Sequence, residues 1–387
     1  MISHVELARA RELFPHTSQG KIYLNHAGTG PLSTRVLGAM TTYLHERSEG
    51  TIDNYPADVE MVGRVRRCAQ RLIRAESPDR ITFQPNTSDA LNVVAAGLTW
   101  KPGDRIILND LEFPANVYPY LNLRRFGVEL DVLGSRGGMI TPDQIQKAMT
   151  PRTRMVALSA VQFLSGHRTD LASIGELCRS RDVLFAVDGI QAVGAVALDV
   201  QAMKIDSLAA GSQKWQMGPH GTGFLYLTEE LQARIQQTNL GWLGVEDPWD
   251  FRNYNQALAP SARRYEGGSM NMPGLWGLEA ALQTLLEFGV DAIEDQILGL
   301  TEILLDGLGE IHGVEILTPI PSSARAGIVT IQLPPGMNQK SVFAQMIDEG
   351  VTVALREGKL RFSPHFYNTP EEMKAAVEVT RTCLAHS

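Results

Sequence analysis

The sequence has few cysteines and no long hydrophobic run. Its three cysteines, Cys68, Cys178 and Cys383, are far apart and form no CxxC pair. This spacing excludes a disulfide framework and a thiolate zinc site, and we expect no metal site. No run of about 18 apolar residues occurs, so we expect no membrane span. The N-terminal segment MISHVELARARELF is charged and lacks the apolar core of a signal peptide, so we expect a cytoplasmic location.

The sequence also has fewer basic than acidic residues: 35 lysines and arginines against 43 aspartates and glutamates, which gives a net charge of −8. This balance argues against a general binder of nucleic acid or of anionic membranes. Hydrophobic residues make up 44% of the 387 positions, which is typical of a globular protein with a core of ordinary size. At roughly 150 residues per domain, the length predicts two or three domains, and the size favours an enzyme.

Short apolar segments alternate with amphipathic helical patterns over residues 20–230. This alternation predicts an α/β fold with a mostly parallel sheet and helices on both faces. The predicted strands are Arg80–Phe83, Arg105–Leu108, Val128–Leu133, Met155–Leu158, Val183–Val187 and Phe224–Leu227. The stripe expected to be buried on the predicted helix Thr34–Arg47 consists of Val36, Leu37, Met40 and Leu44.

The pattern changes after Gly268, where long helices dominate and shorter strands follow. We therefore predict a large domain over residues 21–260 and a smaller α+β domain over residues 261–387. Residues 1–20 are predicted to form a helical segment that packs with the small domain.

Two polar motifs follow predicted strands, at the edge where ligands of such sheets bind. The segment Gln84–Ala90 (QPNTSDA) opens a helix, so its backbone N–H groups and the hydroxyls of Thr87 and Ser88 can bind a phosphate. The alternative is an ordinary helix cap. Asp188 ends the apolar strand Val183–Val187, and its alternative role is likewise to cap the next segment.

Two basic residues complete the set of candidates. Lys214 lies in AGSQKW and is followed by the glycine-rich GPHGTG. A partly desolvated lysine loses its proton readily and can form a Schiff base with a carbonyl compound, whereas the alternative is a surface lysine beside a glycine hairpin. Arg361 lies on a predicted strand, where its guanidinium can bind a carboxylate through two parallel hydrogen bonds or simply lie at the surface.

The order of these motifs is more specific than any one of them. A phosphate-binding helix start, a carboxylate at a strand end, a lysine 26 residues after it and a C-terminal arginine are what pyridoxal-phosphate chemistry needs. Lys214 would hold the aldehyde, and Asp188 would keep the pyridine nitrogen protonated. We therefore predict pyridoxal 5'-phosphate as the cofactor and a small amino acid as the substrate.

With these motifs the sequence resembles the class V aminotransferase family of fold type I pyridoxal-phosphate enzymes. That family includes cysteine desulfurases, cysteine/cystine C–S lyases and isopenicillin N epimerase. The resemblance runs from Tyr23–Gly28 (YLNHAG) to Tyr367–Thr369 (YNT) and rests on five separate motifs in the family's order. It implies a central sheet of the seven-stranded type, a smaller C-terminal α+β domain, and a homodimer with composite active sites.

The resemblance also implies residues that hold the coenzyme. Lys214 looks like the Schiff-base lysine that deprotonates the substrate Cα, and Asp188 looks like the partner of the pyridine nitrogen. Thr87 and Ser88 resemble the phosphate site, and Gln213 lies where the family often has a phosphate-binding histidine.

Further residues resemble the family's contacts around the coenzyme ring. Gln162 and Gln191 lie where the family contacts the ring hydroxyl. Phe113 lies where a histidine or aromatic ring stacks on the coenzyme, and it lacks the acid/base capacity of a histidine. Ser269 resembles the hydroxyl that reaches the phosphate from the partner subunit.

On the substrate side, Arg361 resembles the carboxylate-binding arginine, and Asn25 and His26 resemble the N-terminal segment that lines the pocket. Sulfur-transferring desulfurases carry a cysteine on a mobile loop shortly before this arginine. Residues 351–361 here read VTVALREGKLR, without cysteine. Since no other side chain there replaces a thiolate nucleophile, we predict no persulfide relay through the protein.

The sequence therefore predicts a pyridoxal-phosphate enzyme that deprotonates Cα of a small amino acid. The favoured reaction is a cysteine/cystine C–S lyase or desulfurase-like β-elimination without a catalytic cysteine. An aminotransferase and an isopenicillin N epimerase-like racemase or epimerase share the first step and stay open as alternatives. A nucleotide-dependent dehydrogenase and a serine hydrolase are not supported, because their GxGxxG and GxSxG motifs are missing.

Overall fold

The computed structural model describes residues 2–385. Its helices are α1 (His4–Glu12), α2 (Thr34–Ser48), α3 (Tyr55–Leu72), α4 (Thr87–Gly97), α5 (Tyr118–Leu121), α6 (Pro142–Ala148), α7 (Leu171–Ser180), α8 (Glu229–Arg234), α9 (Met272–Phe288), α10 (Val290–Gly309), α11 (Gln339–Asp348) and α12 (Pro370–Ala385). Its strands are β1 (Ile22–Tyr23), β2 (Ile81–Gln84), β3 (Arg105–Asn109), β4 (Glu129–Leu133), β5 (Thr153–Ser159), β6 (Leu184–Asp188), β7 (Ser207–Gly211), β8 (Gly223–Leu227), β9 (Glu315–Ile316), β10 (Val329–Gln332), β11 (Val351–Thr352), β12 (Ala354–Arg356) and β13 (Lys359–Phe362). Among these residues no helix combines the length and the apolar character needed to cross a bilayer.

A seven-stranded sheet forms the centre, in the order β2–β8–β7–β6–β5–β3–β4. The strands from β7 to β4 run parallel to their neighbours, and β8 is antiparallel to both β7 and β2. This arrangement confirms the predicted α/β class and its mostly parallel sheet. Strand β7 was not predicted, because its sequence, SLAAG, contains no β-branched residue although all five positions are buried.

Both faces of this sheet are covered. Along β5, Met155 and Ala157 pack into one apolar cluster, whereas Val156 and Leu158 pack into another on the opposite face. Alternate residues of a strand point to opposite faces, so the continuous apolar sequence of β5 follows from burial on both sides. Because its parallel strands share one direction, their carboxyl ends meet at one edge, where Asp188 ends β6.

The predicted apolar stripe of α2 is partly wrong. Val36 is buried, but Leu37 and Leu44 are 59% and 54% exposed. The helix packs on α9 through Met40, which belongs to the predicted stripe and lies against Gly277, and through Tyr43, which lies outside that stripe and beside Trp276.

The C-terminal part has a core of its own. A four-stranded antiparallel sheet, in the order β12–β13–β10–β9, packs with α10, α11 and α12 in a third apolar cluster. The pairing of β1 with β11 joins the start of the chain to this part. By contrast, α9 packs mainly on α2 and α3. The domain boundaries stay a prediction, but this packing groups α9 with the large unit and β1 with the small one.

The N-terminal segment contacts the chain after β13, and Arg9 also pairs with Glu287 of α9. Arg11 donates to the Tyr367 carbonyl oxygen at 3.0 Å and pairs with Glu372 at 2.7 Å. The Phe14 ring stacks on the Tyr367 ring with centroids 4.0 Å apart. These contacts hold the segment that follows β13 in place.

Candidate active site

Lys214 lies in the loop between β7 and β8, where several close contacts fix its backbone. The Gly30 N–H donates to the Gln213 carbonyl oxygen at 2.8 Å, and a side chain at Gly30 would collide with the Lys214 carbonyl oxygen. The next residue, Trp215, is fully buried, and its Nε1 donates to Gln191 Oε1 at 2.8 Å. A lysine on such a rigid loop keeps its Nζ in a defined place.

The charge state of Lys214 is set by its surroundings. Burial lowers the pKa of its ammonium, and the charges of Arg361 and Arg356 lower it further, against the opposing effect of Asp188. A lysine with a lowered pKa is a better nucleophile and a better base at neutral pH than one in solvent. The pKa of Asp188 is raised by burial, although the Ile190 N–H donates to its carboxylate at 3.0 Å.

Thr87, Gly211 and Gln213 lie together beside Lys214. The Gly211 N–H donates to Thr87 Oγ1 at 2.9 Å. A Cβ at Gly211 would lie 2.6 Å from Gln213 Oε1 and 3.2 Å from Thr87 Oγ1, so glycine keeps space open between these groups. Thr87 begins α4, whose N-terminal N–H groups favour an anion, and the half-buried Ser88 follows in the same turn.

An aromatic ring lies over the lysine. The Phe113 ring centroid is 5.6 Å from Lys214 Nζ. Phe163 supports Phe113 edge to face, with ring centroids 5.3 Å apart. The carbonyl oxygen of Phe163 in turn accepts a hydrogen bond of 2.7 Å from Arg361 Nη1.

Arg361 is a buried cation with unused donors. It is 2% exposed, yet its Nε and Nη2 atoms have no hydrogen-bond partner within residues 2–385. Burial lowers the pKa of its guanidinium to about 10, and Arg356 adds to this effect. Because a guanidinium without an anion is costly inside a protein, the free atoms indicate a place for a carboxylate.

Asn25 and His26 differ in whether their polar atoms already have hydrogen-bond partners. His26 is fully buried, and its Nδ1 and Nε2 lie 2.8 Å from the Ser363 carbonyl oxygen and the Tyr367 hydroxyl. Since both ring nitrogens are engaged, His26 joins the N-terminal segment to the chain after β13 and offers no free ring nitrogen to a ligand, and its place on the substrate side stays a prediction. Asn25 keeps a buried Oδ1 without a partner in the described part of the chain, so it retains a group for a ligand.

The remaining predicted residues are placed as follows. Gln191 is buried, accepts from Trp215, and donates from Nε2 to the Ala27 carbonyl oxygen at 3.1 Å. That leaves one amide hydrogen for another contact. Ser269 lines a cavity of about 300 Å³ with Gln84 and Gly221, and no hydrogen bond within residues 2–385 joins it to Thr87 or Gln213.

Sequence reasoning missed Glu112 and Arg356. Glu112 accepts hydrogen bonds from three segments of the chain, and only its position directly before Phe113 signalled a role. Arg356 ends β12 next to a two-residue turn at Glu357 and Gly358, which have φ angles of +49° and +71°. This tight hairpin occupies the segment where a longer loop with a cysteine was looked for.

The thiols lie away from this site. Cys68, Cys178 and Cys383 are buried in α3, α7 and α12. Burial raises the pKa of the Cys178 thiol to about 12, which disfavours the thiolate. None of the three belongs to the hairpin β12–β13. Within the described residues there is also no cluster of side chains suited to a metal ion.

Comparisons with known proteins agree with this geometry. The family model "Aminotransferase class-V" matches residues 22–376. A probable cysteine desulfurase of Methanothermobacter thermautotrophicus is 29% identical, over 91% of this chain and 92% of the relative. The uncharacterized aminotransferase YcbU of Bacillus subtilis is also 29% identical, over 95% of both chains.

Solved structures share the fold. The cysteine desulfurase CsdA of Escherichia coli superposes with a TM-score of 0.88 at 23% identity, over 98% of both chains. The cystine C–S lyase C-DES, in complex with its product cysteine persulfide, superposes with a TM-score of 0.87 at 24% identity, over 95% of this chain and 99% of that one. At this level of identity the likeness establishes the fold type.

Class V aminotransferases use pyridoxal phosphate, and the residues present fit that group. The open space at Gly211 beside Thr87 suits a phosphate, the aromatic ring above Lys214 suits a stacked pyridine, and the free donors of Arg361 suit the carboxylate of an amino acid. The family model covers nearly the whole chain, including every one of these residues. The chain belongs to the class V aminotransferase family of pyridoxal-phosphate-dependent enzymes.

Proposed function

We propose that the protein is a C–S lyase that cleaves a Cβ–S bond of cystine or a closely related disulfide amino acid. The observation that carries the proposal is the hairpin β12–β13, where Arg356 lies close enough for its charge to lower the pKa of both Lys214 and Arg361. The guanidinium groups of Arg361 and Arg356 therefore both act on the charge of Lys214, and each is proposed to bind one carboxylate of the substrate. Cystine carries two carboxylates, whereas cysteine carries one.

The residues have the following proposed roles. Lys214 holds pyridoxal phosphate and moves the proton from the substrate Cα. Asp188 pairs with the pyridine nitrogen, and Thr87, Ser88 and Gln213 bind the phosphate. When bound, the coenzyme withdraws electrons from Cα and makes this proton removable. Arg361 orients the substrate through its α-carboxylate, with the two donors that have no partner among the described residues.

The stacking residue also favours a disulfide substrate. Phe113 has no proton to donate to a departing sulfur atom, so a leaving group that is stable as an anion is preferred. A persulfide is a weaker base than a thiolate and leaves more readily without a proton. Cleavage of cystine at Cβ–S releases cysteine persulfide with the bond's electron pair. Addition of water then gives pyruvate and ammonia from the remaining half.

A protein thiol is not needed for this reaction. The buried positions of Cys68, Cys178 and Cys383 support release of the sulfur on the substrate fragment. The names of two compared proteins, the probable cysteine desulfurase of Methanothermobacter thermautotrophicus and the cystine C–S lyase C-DES, support C–S cleavage as the chemistry.

We also propose a homodimer with composite sites. Trp249, Phe251 and Tyr254 are 52%, 64% and 95% exposed, and the first two rings contact Trp242. This aromatic patch borders a cavity of about 420 Å³ that Ser269 also lines. An exposed apolar patch of this kind supports coverage by a second copy, which would bring Ser269 to the neighbouring phosphate. A cytoplasmic location stays a prediction.

The test is product analysis with the purified protein and added coenzyme. We expect pyruvate and cysteine persulfide from cystine in equal amounts, with a lower kcat/KM for cysteine. Formation of an oxo acid together with the amine form of the coenzyme would establish an aminotransferase instead. Loss of α-deuterium with return of the opposite enantiomer would establish a racemase.

The second arm tests Arg356 directly. Arg356→Ala should raise the KM for cystine about tenfold, equivalent to ~1.4 kcal/mol for one charge-assisted contact at an exposed rim. The KM for cysteine should change much less. Lys340→Ala on α11 removes an exposed cation of the same unit and serves as the control. Equal effects of Arg356→Ala on both substrates would contradict the assignment of cystine.

A further inference from the structure

Glu112 is a buried carboxylate at the centre of a hydrogen-bond network behind Phe113. It is 9% exposed and forms no ion pair among residues 2–385. Its oxygens accept five hydrogen bonds. The donors are Asn109 Nδ2 at 2.7 Å, Asn116 Nδ2 at 2.9 Å, the Ser159 N–H at 2.9 Å, Ser159 Oγ at 2.5 Å and Gln162 Nε2 at 2.9 Å. Five donors compensate for the burial of a carboxylate that has no cationic partner in the described part of the chain.

This network fixes the orientation of the Gln162 amide. A carboxylate that accepts from every neighbour offers no hydrogen, so the amide must present its nitrogen to Glu112. The amide oxygen then points away. Gln162 Oε1 is buried and has no partner in the described part of the chain. A buried amide oxygen without a partner is costly, and it indicates that a donor on a ligand belongs there.

The same network reaches the other parts of the site. Phe113 follows Glu112 directly, and Phe163 follows Gln162 directly. Phe163 packs on the Phe113 ring and accepts from Arg361. Glu112 therefore holds together the two segments that carry the stacking ring and the support of the carboxylate-binding arginine.

From this geometry we infer that Glu112 is a positioning residue that makes Gln162 a hydrogen-bond acceptor toward the ring hydroxyl of the coenzyme. The inference rests on the proposed function, because it requires the coenzyme at Lys214. An acceptor favours the protonated hydroxyl, whereas a rotated amide that presented its nitrogen would favour the deprotonated oxygen. Glu112 thus sets which protonation state of the ring is stabilised, although it touches neither the coenzyme nor the substrate.

The experiment compares Glu112→Gln, Gln162→Met and the double variant. The absorbance of the bound coenzyme is titrated with pH, and the dissociation constant of the coenzyme is measured by fluorescence. Glu112→Gln offers hydrogens of its own and frees the Gln162 amide to rotate. We expect the midpoint of the absorbance titration to move about one unit to lower pH, and coenzyme binding to weaken about tenfold.

A double-mutant cycle separates positioning from a structural role. If Glu112 acts through Gln162, Glu112→Gln causes no further shift of the midpoint in the Gln162→Met background. Equal shifts in both backgrounds, or no shift in the single variant, would overturn the inference. If Glu112→Gln fails to fold, Gln162→Met alone decides, because loss of the acceptor must move the midpoint in the same direction.

The control is Glu279→Gln. Glu279 is another buried carboxylate, paired with Arg64 between α9 and α3. We expect a lower melting temperature and an unchanged midpoint. Wild-type protein that binds no coenzyme at all would refute the proposed function. If the wild-type protein binds the coenzyme and titrates normally, but the midpoint shifts of the two single variants add up in the double variant, only the role of Glu112 is refuted.

Discussion

Replacement of Arg361 by methionine should show whether this arginine serves ligand binding or the stability of the fold. Methionine has a similar length and fills the buried volume without charge. The substitution removes two donors that have no partner within residues 2–385 and one that binds the Phe163 carbonyl oxygen. It therefore damages ligand binding much more than folding.

The magnitudes follow from these contacts. Two hydrogen bonds to a carboxylate are worth roughly 1.5–3 kcal/mol each, so kcat/KM for amino acids should fall by at least a factor of about 150. In the unliganded chain, loss of the desolvated cation relieves about 1–3 kcal/mol, and the orphaned Phe163 carbonyl costs about 1–2 kcal/mol. The free energy of unfolding should then lie between about 1 kcal/mol below and about 2 kcal/mol above that of the wild type.

The assay combines steady-state kinetics with urea unfolding of the coenzyme-free protein. Arg325→Met is the matched control, because Arg325 is also buried, with an Nε atom that has no partner within residues 2–385. It should leave kcat/KM within a few-fold of the wild type. A large loss of stability in Arg361→Met with nearly normal kinetics would refute the reasoning and make Arg361 a structural arginine.

Two further predictions concern the coenzyme. Burial and the nearby arginines lower the pKa of Lys214, so the rate at which the free protein binds the coenzyme should rise with pH and level off at a lower pH than for a solvent-exposed lysine. Stopped-flow absorbance measures this rate. A rate that still rises up to the ordinary lysine pKa would contradict the prediction. Gly211→Ala places a Cβ against Gln213 and Thr87, so it should weaken coenzyme binding about tenfold or more and abolish competition by inorganic phosphate. Gly38→Ala on the surface of α2, where a Cβ meets open space, is the control and should change neither property.

The sequence could predict the parts of the site that are local. Asp188 ends an apolar strand, Thr87 opens a helix after a strand, and Lys214 lies between small residues and glycines; each of these signals is complete within about ten residues. The structure places all three at the same edge of the sheet. The order of the strands in space was not needed to name them.

Features that depend on several distant segments were not predictable in the same way. The partners of Glu112 come from β3, from the loop before α5 and from the end of β5 and its following loop, so no single window shows the network. The buried face of α2 depends on where α9 lies. By its position in the sequence, His26 resembled a residue that contacts the substrate. Its ring nitrogens lie within hydrogen-bond distance of Ser363 and Tyr367, which are more than 300 residues away in the chain.

The contrast among buried charges supports a ligand at this edge of the sheet. Arg66 pairs with the buried Glu266, and Arg64 pairs with Glu279, so these cations are neutralised within the chain. Arg361 is buried more completely than either and has only a carbonyl oxygen as a partner in the described residues. A folded chain tolerates such a cation only if other interactions offset its cost, and a ligand carboxylate removes that cost on binding. The unpaired guanidinium, the unpaired amide oxygen of Gln162 and the desolvated Lys214 are therefore complementary to one amino acid bound with its coenzyme.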